Sequence, residues 1–210
     1  MTTHEAHDTP RTVLVAGATG KTGRRVADRL HARGVSVQAG TRSDVPPFDW
    51  NDPTSWAPAL RSADAAYVTY HPDPAVPSAA DTIAAFSKLA VAGGTRRLVL
   101  LSRLGEAEAQ RSEEALRRTG ADWTVLRSSW LMQNLSESFF LEPLLRGELA
   151  LPADGVREPF VDADDIAVAA RNAQLADGVE QALGRPPRDF RDYARDAAAA
   201  GVWTATQIGA

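Results

Sequence analysis

Five β-forming residues, Thr12–Ala16 (TVLVA), run directly into Gly17, Gly20 and Gly23, and the last of these glycines opens a helical pattern. A strand that must turn at once into a helix packed back against it leaves little choice of architecture. The first glycine permits the tight turn, the second lets backbone approach a bound pyrophosphate, and the third lets the helix sit close on the strand. Unpaired N–H groups and the positive dipole end at the helix start then favour phosphate. Thr19, Lys21 and Thr22 lie in the same loop as further candidate contacts. A turn with no ligand is the simpler alternative, but three glycines at this spacing in a first strand–helix unit favour the dinucleotide. Gly20-Lys21-Thr22 also suggests a triphosphate-binding loop, yet Gly17 lies too close before Gly20 for a loop that wraps a triphosphate.

The same alternation continues along the chain. Helical spacing covers residues 24–33, with Val26, Ala27 and Leu30 on one face and Gly34 as the stop. Residues 35–41 form the next strand, and a weak third strand or extended segment around residues 48–50 precedes a helix begun by Pro53. Strands are expected at 64–70, 96–102 and 123–127, with helices at 78–92 and 106–119, the latter exposed and charged. This order implies right-handed βαβ units and a doubly wound parallel sheet of Rossmann type, covered on both faces. The expected division is a tail over residues 1–10, a nucleotide-binding domain over 11–170 and a helical cap over 171–210.

Composition removes several chemistries. The chain has no Cys, which excludes disulfides, thiolate nucleophiles and Cys-ligated metals. Of four His, two lie in the first seven residues, so no His-based metal site is expected. Net charge is −4 with no basic block, which argues against a nucleic-acid partner and for a small molecule. No apolar run approaches membrane-spanning length and the first ten residues are polar, so a cytoplasmic protein is expected.

The end of the second strand selects the dinucleotide. An acid there favours a ribose hydroxyl, whereas an Arg favours the 2′-phosphate. The sequence reads Thr41-Arg42-Ser43, a guanidinium flanked by hydroxyls, with Asp44 placed to cap the turn. NADP(H) is therefore preferred over NAD(H).

Four segments together resemble the NmrA-like family of atypical short-chain dehydrogenases/reductases: VAGATGKTGRRVADRL, GTRS, GADWTVLRSSWLMQN and REPFVDADDIAVAA. The resemblance implies the pyrophosphate on residues 17–23, the 2′-phosphate on Arg42 and the adenine near Asp49 and Trp50. It also implies that Thr69, Tyr70 and His71 line the cofactor, with Ser102 and Arg103 near the nicotinamide. Trp130, Met132 and Phe139 are candidates for an apolar substrate wall. Family members include reductases of quinones and natural products, and also regulators that bind the cofactor without turnover.

Two departures stand out. The Tyr-x-x-x-Lys proton-donor dyad of the wider superfamily cannot form, because His71, Pro74 and Ala197 stand four residues after Tyr67, Tyr70 and Tyr193. Tyr70, His71, Ser102 and solvent remain as proton donors. Against the family pattern, several tens of residues are also missing after Ala170. A helix pair over 173–183 and 187–199 is left to cap the site, and a homo-oligomer is expected to cover it. The expected function is an NADPH-dependent reductase of a small aromatic, quinone-like or enone-containing molecule. A noncatalytic regulator and a non-redox rearrangement or cyclisation enzyme are the alternatives.

Overall fold

The computed structural model describes residues 10–138, 140–149, 159–172 and 185–204. Phe139 and the whole of the first expected cap helix, over 173–183, lie outside the described residues. Five parallel strands form the central sheet in the order β2-β1-β3-β4-β5. They are β1 Thr12–Ala16, β2 Ser36–Gly40, β3 Ala65–Val68, β4 Arg97–Arg103 and β5 Asp122–Ser128. Leu14, Val15 and Ala16 are all fully buried, as expected of a strand covered on both faces rather than one that alternates. The doubly wound class expected from the alternation is the one observed.

Two cores lie on opposite sides of the sheet. On one side, Leu14, Leu98 and Leu100 pack against α3 (Ala79–Ala92) through Ile83 and Phe86 and against α4 (Ala107–Arg117) through Leu116. On the other, Val13, Val15 and Val99 join Val26 and Leu30 of α1 (Lys21–His31) and Ala167 of α6 (Ala163–Asn172). The order runs from β1 outward to β2, then back across β1 to β3, β4 and β5. This reversal opens a crevice above the carboxyl ends of β1 and β3, the usual ligand position in such sheets.

The third strand expected around residues 48–50 does not form. Phe48 donates its N–H to the Thr41 carbonyl at 2.8 Å instead of joining a strand ladder. Phe48 and Trp50 turn beneath the sheet, where they pack with Trp56 and Phe86 at centroid distances of 4.9–6.0 Å. Burial of four large rings outweighs the local strand preference of the segment. The helix begun by Pro53 is a 3₁₀ turn, Pro53–Ser55, followed by α2, Trp56–Leu60.

Beyond β5, the short strands β6 (Trp130–Leu131) and β7 (Phe160–Val161) pair in parallel as a separate two-stranded sheet. A 3₁₀ turn over Met132–Leu135 and the short helix α5 (Leu141–Leu145) lie between them in sequence. The last helix, α7 (Phe190–Ala199), is anchored on this layer. Tyr193 donates to Ser136 at 2.6 Å, and the Trp203 indole donates to the Leu135 carbonyl at 3.0 Å. Arg188 reaches the buried Asp162 at 2.8 Å, while Arg185 reaches the buried Asp165 at 2.5 Å.

The contact that sets α1 on β1 is testable. A Cβ on Gly23 would lie 2.1 Å from the Gly17 carbonyl oxygen, a backbone atom with no freedom to withdraw. Gly23→Ala is expected to cost about 2–3 kcal/mol, the upper range for overpacking. For a chain of this size that lowers Tm by roughly 5–10 °C. An unchanged melting curve would show that α1 shifts freely on the sheet.

Candidate functional site

Residues 17–23 make the turn in the form the glycine spacing requires. Gly17 has φ +73°, and a Cβ there would meet the Thr69 hydroxyl at 2.5 Å, so backbone conformation and crowding both demand glycine. Gly20 differs, since its added Cβ would find a single neighbour, the Gly17 oxygen, at 3.2 Å. Internal packing constrains this position least, which suits a glycine that leaves room for a ligand. Gly20 is also the N-cap of α1, with no side-chain cap and no acidic residue in the first helical turn. The helix start is left open to an anion. The residues present thus fit a dinucleotide pyrophosphate.

A chain of hydrogen bonds ties this turn to its neighbours. Gly17 N–H donates to Gly40 O at 2.9 Å, Thr69 Oγ1 to Ala16 O at 2.7 Å, and the Trp50 indole to Thr69 O at 3.0 Å. Three strand-end loops are therefore linked at their base. Trp50, expected near the adenine, is committed to this link and to the aromatic core, and is only 9% exposed. The Asp49 carbonyl accepts from the Trp56 indole at 2.8 Å, and its carboxylate from Asn51 N–H at 2.9 Å. Both residues build the turn rather than present a surface for a ring. Thr22 is buried rather than free to contact a ligand, whereas Thr19 is exposed. Burial pushes the phenol of the fully buried Tyr67 above its usual range.

At the end of β2, Thr41 Oγ1 donates to the Asp44 carboxylate and lies 3.2 Å from Ser43 Oγ. Asp44 caps the turn, as its position suggests. Arg42 is exposed beside it and forms no ion pair among the described residues.

The crevice above the sheet contains a cavity of about 430 Å³. Lys21, Thr69, Tyr70, Ser102, Arg103 and Trp130 line it, with further wall from Asp73, Ser128, Ser129 and Asn134. Residues from the glycine turn, β3, β4, β5 and β6 thus converge. Burial lowers the Lys21 ammonium pKa, with Glu137 opposing that shift and Arg24 adding to it. Arg103 pairs with Asp73 at 2.8 Å across the wall. Trp130 stacks on Phe140 at 5.4 Å, an aromatic platform at the edge of the cavity.

Two expected site residues, His71 and Met132, are placed elsewhere, and a third, Ser102, is in place but engaged. His71 is exposed and outside the cavity wall. Met132 is 1% exposed and belongs to the interior, because the 3₁₀ turn after β6 carries it inward. Ser102 lies in the wall, but its hydroxyl donates to Glu113 at 2.8 Å, so its proton is committed to a carboxylate. Of the protein side chains weighed as proton donors, Tyr70 is left in the wall with its hydroxyl uncommitted among the described residues. None of residues 185–204 lines the cavity, so α7 braces the β6–β7 layer and does not cap the site. Ser128, Ser129 and Asn134 were missed as individual residues, although SSWLMQN contains all three.

Comparison with known proteins agrees with this geometry. A family model described as NAD(P)H-binding matches residues 17–142. The uncharacterized oxidoreductase YesF of Bacillus subtilis is 30% identical over 176 residues, which are 79% of this chain and 61% of that protein. Festuclavine dehydrogenase easG of Aspergillus fumigatus is 30% identical over 177 residues, 76% of this chain and 61% of that protein. The chain thus spans about three-fifths of the length of these curated relatives. In fold it is similar to a short-chain dehydrogenase/reductase superfamily protein from Agrobacterium tumefaciens with bound NAD. The TM-score is 0.62 at 18% identity, over 90% of this chain and 83% of that one.

Three carboxylates around the site carry a pH prediction. Burial disfavours the charged forms of Glu113, Glu137 and Asp164, but their Arg partners overcome it and hold each pKa below the usual range. Such groups stabilise the fold above the unfolded carboxylate pKa of about 4, and that stability is lost as pH falls through the lower folded values. Urea midpoints are expected to hold from neutral pH to about 5 and then decline steeply, with Glu137→Gln declining less. A wild-type midpoint unchanged down to about pH 3 would contradict this assignment.

Proposed function

The chain belongs to the NAD(P)H-binding family, and from that membership we propose an NADPH-dependent reductase acting on a small aromatic, quinone-like or enone-containing molecule. The resemblance to NmrA-like atypical short-chain dehydrogenases/reductases read from its motifs agrees with that family. The cavity at the strand ends carries the proposal, because it brings the glycine turn, Tyr70 and an aromatic platform to one place.

The open turn at Gly20 and the α1 N-terminus would hold the pyrophosphate. Arg42 and the hydroxyls of Thr41 and Ser43, at the end of β2, would hold the 2′-phosphate. Residues at the ends of β3 and β4 would hold the nicotinamide half. When bound, the reduced nicotinamide supplies a hydride. Tyr70 Oη supplies the matching proton to the oxygen or carbon on which negative charge develops. Trp130 and Phe140 orient a flat substrate, and Lys21 keeps positive potential near the phosphates and the developing charge.

A second reading rests on the missing Tyr-x-x-x-Lys dyad. In it the chain binds the nucleotide as a regulator without turnover. Titration with NADPH and NADH, followed by addition of quinones while monitoring reduced-nicotinamide absorbance, separates the two. Consumption supports the reductase, and tight binding without consumption supports the regulator. Binding of neither nucleotide would falsify the dinucleotide reading.

Arg42→Ala is expected to weaken NADPH by about 1–3 kcal/mol, roughly 5- to 150-fold, and NADH little. Equal losses for both would remove the 2′-phosphate assignment. Tyr70→Phe removes one oxygen and is expected to lower kcat by about 10²-fold while NADPH affinity holds. A kcat near wild type would assign the proton to solvent.

A further inference from the structure

Helix α4 carries a charged, mostly exposed surface, yet Glu113 within it is fully buried. Three groups meet its carboxylate. Arg127 on β5 donates from Nε at 2.9 and 3.1 Å and from Nη2 at 2.6 Å. Arg117, one turn along α4, lies at 3.2 Å, and Ser102 on β4 donates at 2.8 Å. A buried ion pair is a costly way to hold a helix on a sheet, since apolar residues of similar volume often serve as well. Its placement therefore calls for an account beyond packing.

That placement is specific. Ser102 and Arg127 face each other in the β4–β5 register, so one carboxylate spans both strands at a single rung. The next rung toward the carboxyl ends pairs Arg103 with Ser128, and both line the cavity. Leu104 N–H then closes onto Ser128 O at 2.9 Å. Glu113 thus clasps the two strands at the rung just before the Arg103–Ser128 pair, with Ser102 itself in the cavity wall. It also accepts the hydrogen bond of the Ser102 hydroxyl, so what Ser102 offers toward the cavity is acceptor lone pairs.

We propose that Glu113 is a positioning residue for the nicotinamide end of the cofactor site. It fixes the β4–β5 rim and orients Ser102 as an acceptor for a ligand N–H group, the kind the nicotinamide carboxamide carries. The inference rests on the cofactor reading above and goes beyond it, since Glu113 itself touches no ligand. Burial opposes the charged form of Glu113, but Arg127, Ser102 and Arg117 together keep its pKa below the usual carboxylate range, so it stays an acceptor for the Ser102 hydroxyl hydrogen bond.

The test compares two probes on the full chain. NADPH occupies both ends of the cleft and reports the nicotinamide environment by its fluorescence, whereas 2′,5′-ADP occupies the adenosine end alone. Glu113→Gln and Ser102→Ala are expected to leave 2′,5′-ADP affinity within about twofold of wild type. NADPH affinity should fall by about tenfold, with loss of the fluorescence change on binding. Ser102→Thr restores a hydroxyl and should restore both NADPH readouts. If Glu113→Gln does not fold, the Ser102→Ala and Ser102→Thr pair decides. Unaltered NADPH affinity and fluorescence in the folded variants overturns the proposal, as does a parallel loss of both probes. A wild-type chain that binds neither probe overturns the cofactor reading as well.

Discussion

The backbone contact between Gly23 and Gly17 is the constraint from which the rest of the site follows. With no side chain between them, α1 starts directly above the end of β1 and its axis is fixed relative to the sheet. That fixes where Lys21 enters the cavity and where Arg24, Arg25 and Arg29 emerge on the outer face. Glu137 receives Arg24 and Arg25, the latter at 2.7 Å, while Asp164 at the start of α6 receives Arg25 at 3.1 Å and Arg29 at 2.7 Å. Partly exposed pairs contribute little singly, but here they form one network spanning three separate segments. The network thus ties the segment around Glu137 and the start of α6 to the first helix.

The two halves of the cleft are built by different means. On the β2 side, aromatic burial holds the loops, with Trp50 and Trp56 each giving their indole N–H to a backbone carbonyl. On the β4–β5 side, charge does the holding, through Glu113 between β4 and β5 and through Asp162 at the end of β7. Asp162 is fully buried, accepting from Gln133 at 2.7 Å and from Arg188 at 2.8 Å. Aromatic packing tolerates small displacements better than a buried carboxylate does, since the carboxylate must keep every donor in range. The cavity wall lies on the side that is more exactingly set.

Much of this architecture was legible in the chain. β1 begins and ends where its run of β-formers does, because a strand buried on both faces must be apolar throughout and the glycines end it abruptly. Helices α3 and α4 lie within a residue or two of their expected bounds. Less legible were features that depend on partners distant in sequence. The segment around Phe48 reads as a strand because it is aromatic, and only the neighbouring rings reveal it as core. Glu113 reads as one charge on a solvated face, since nothing local announces Arg127. Met132 and Trp130 look equivalent in sequence, yet a 3₁₀ turn sends one inward and leaves the other at the cavity.

Trp50 stands where both sides meet. Its indole touches the loop after β3 by a hydrogen bond, the loop after β2 by its own backbone, and Tyr70 of the cavity wall at 5.1 Å. A displacement of either loop, or of the Tyr70 ring, alters the polarity and the quenching environment of this one chromophore. The protein therefore carries an intrinsic optical reporter at the junction of the loops after β2 and β3, next to the cavity wall yet outside it.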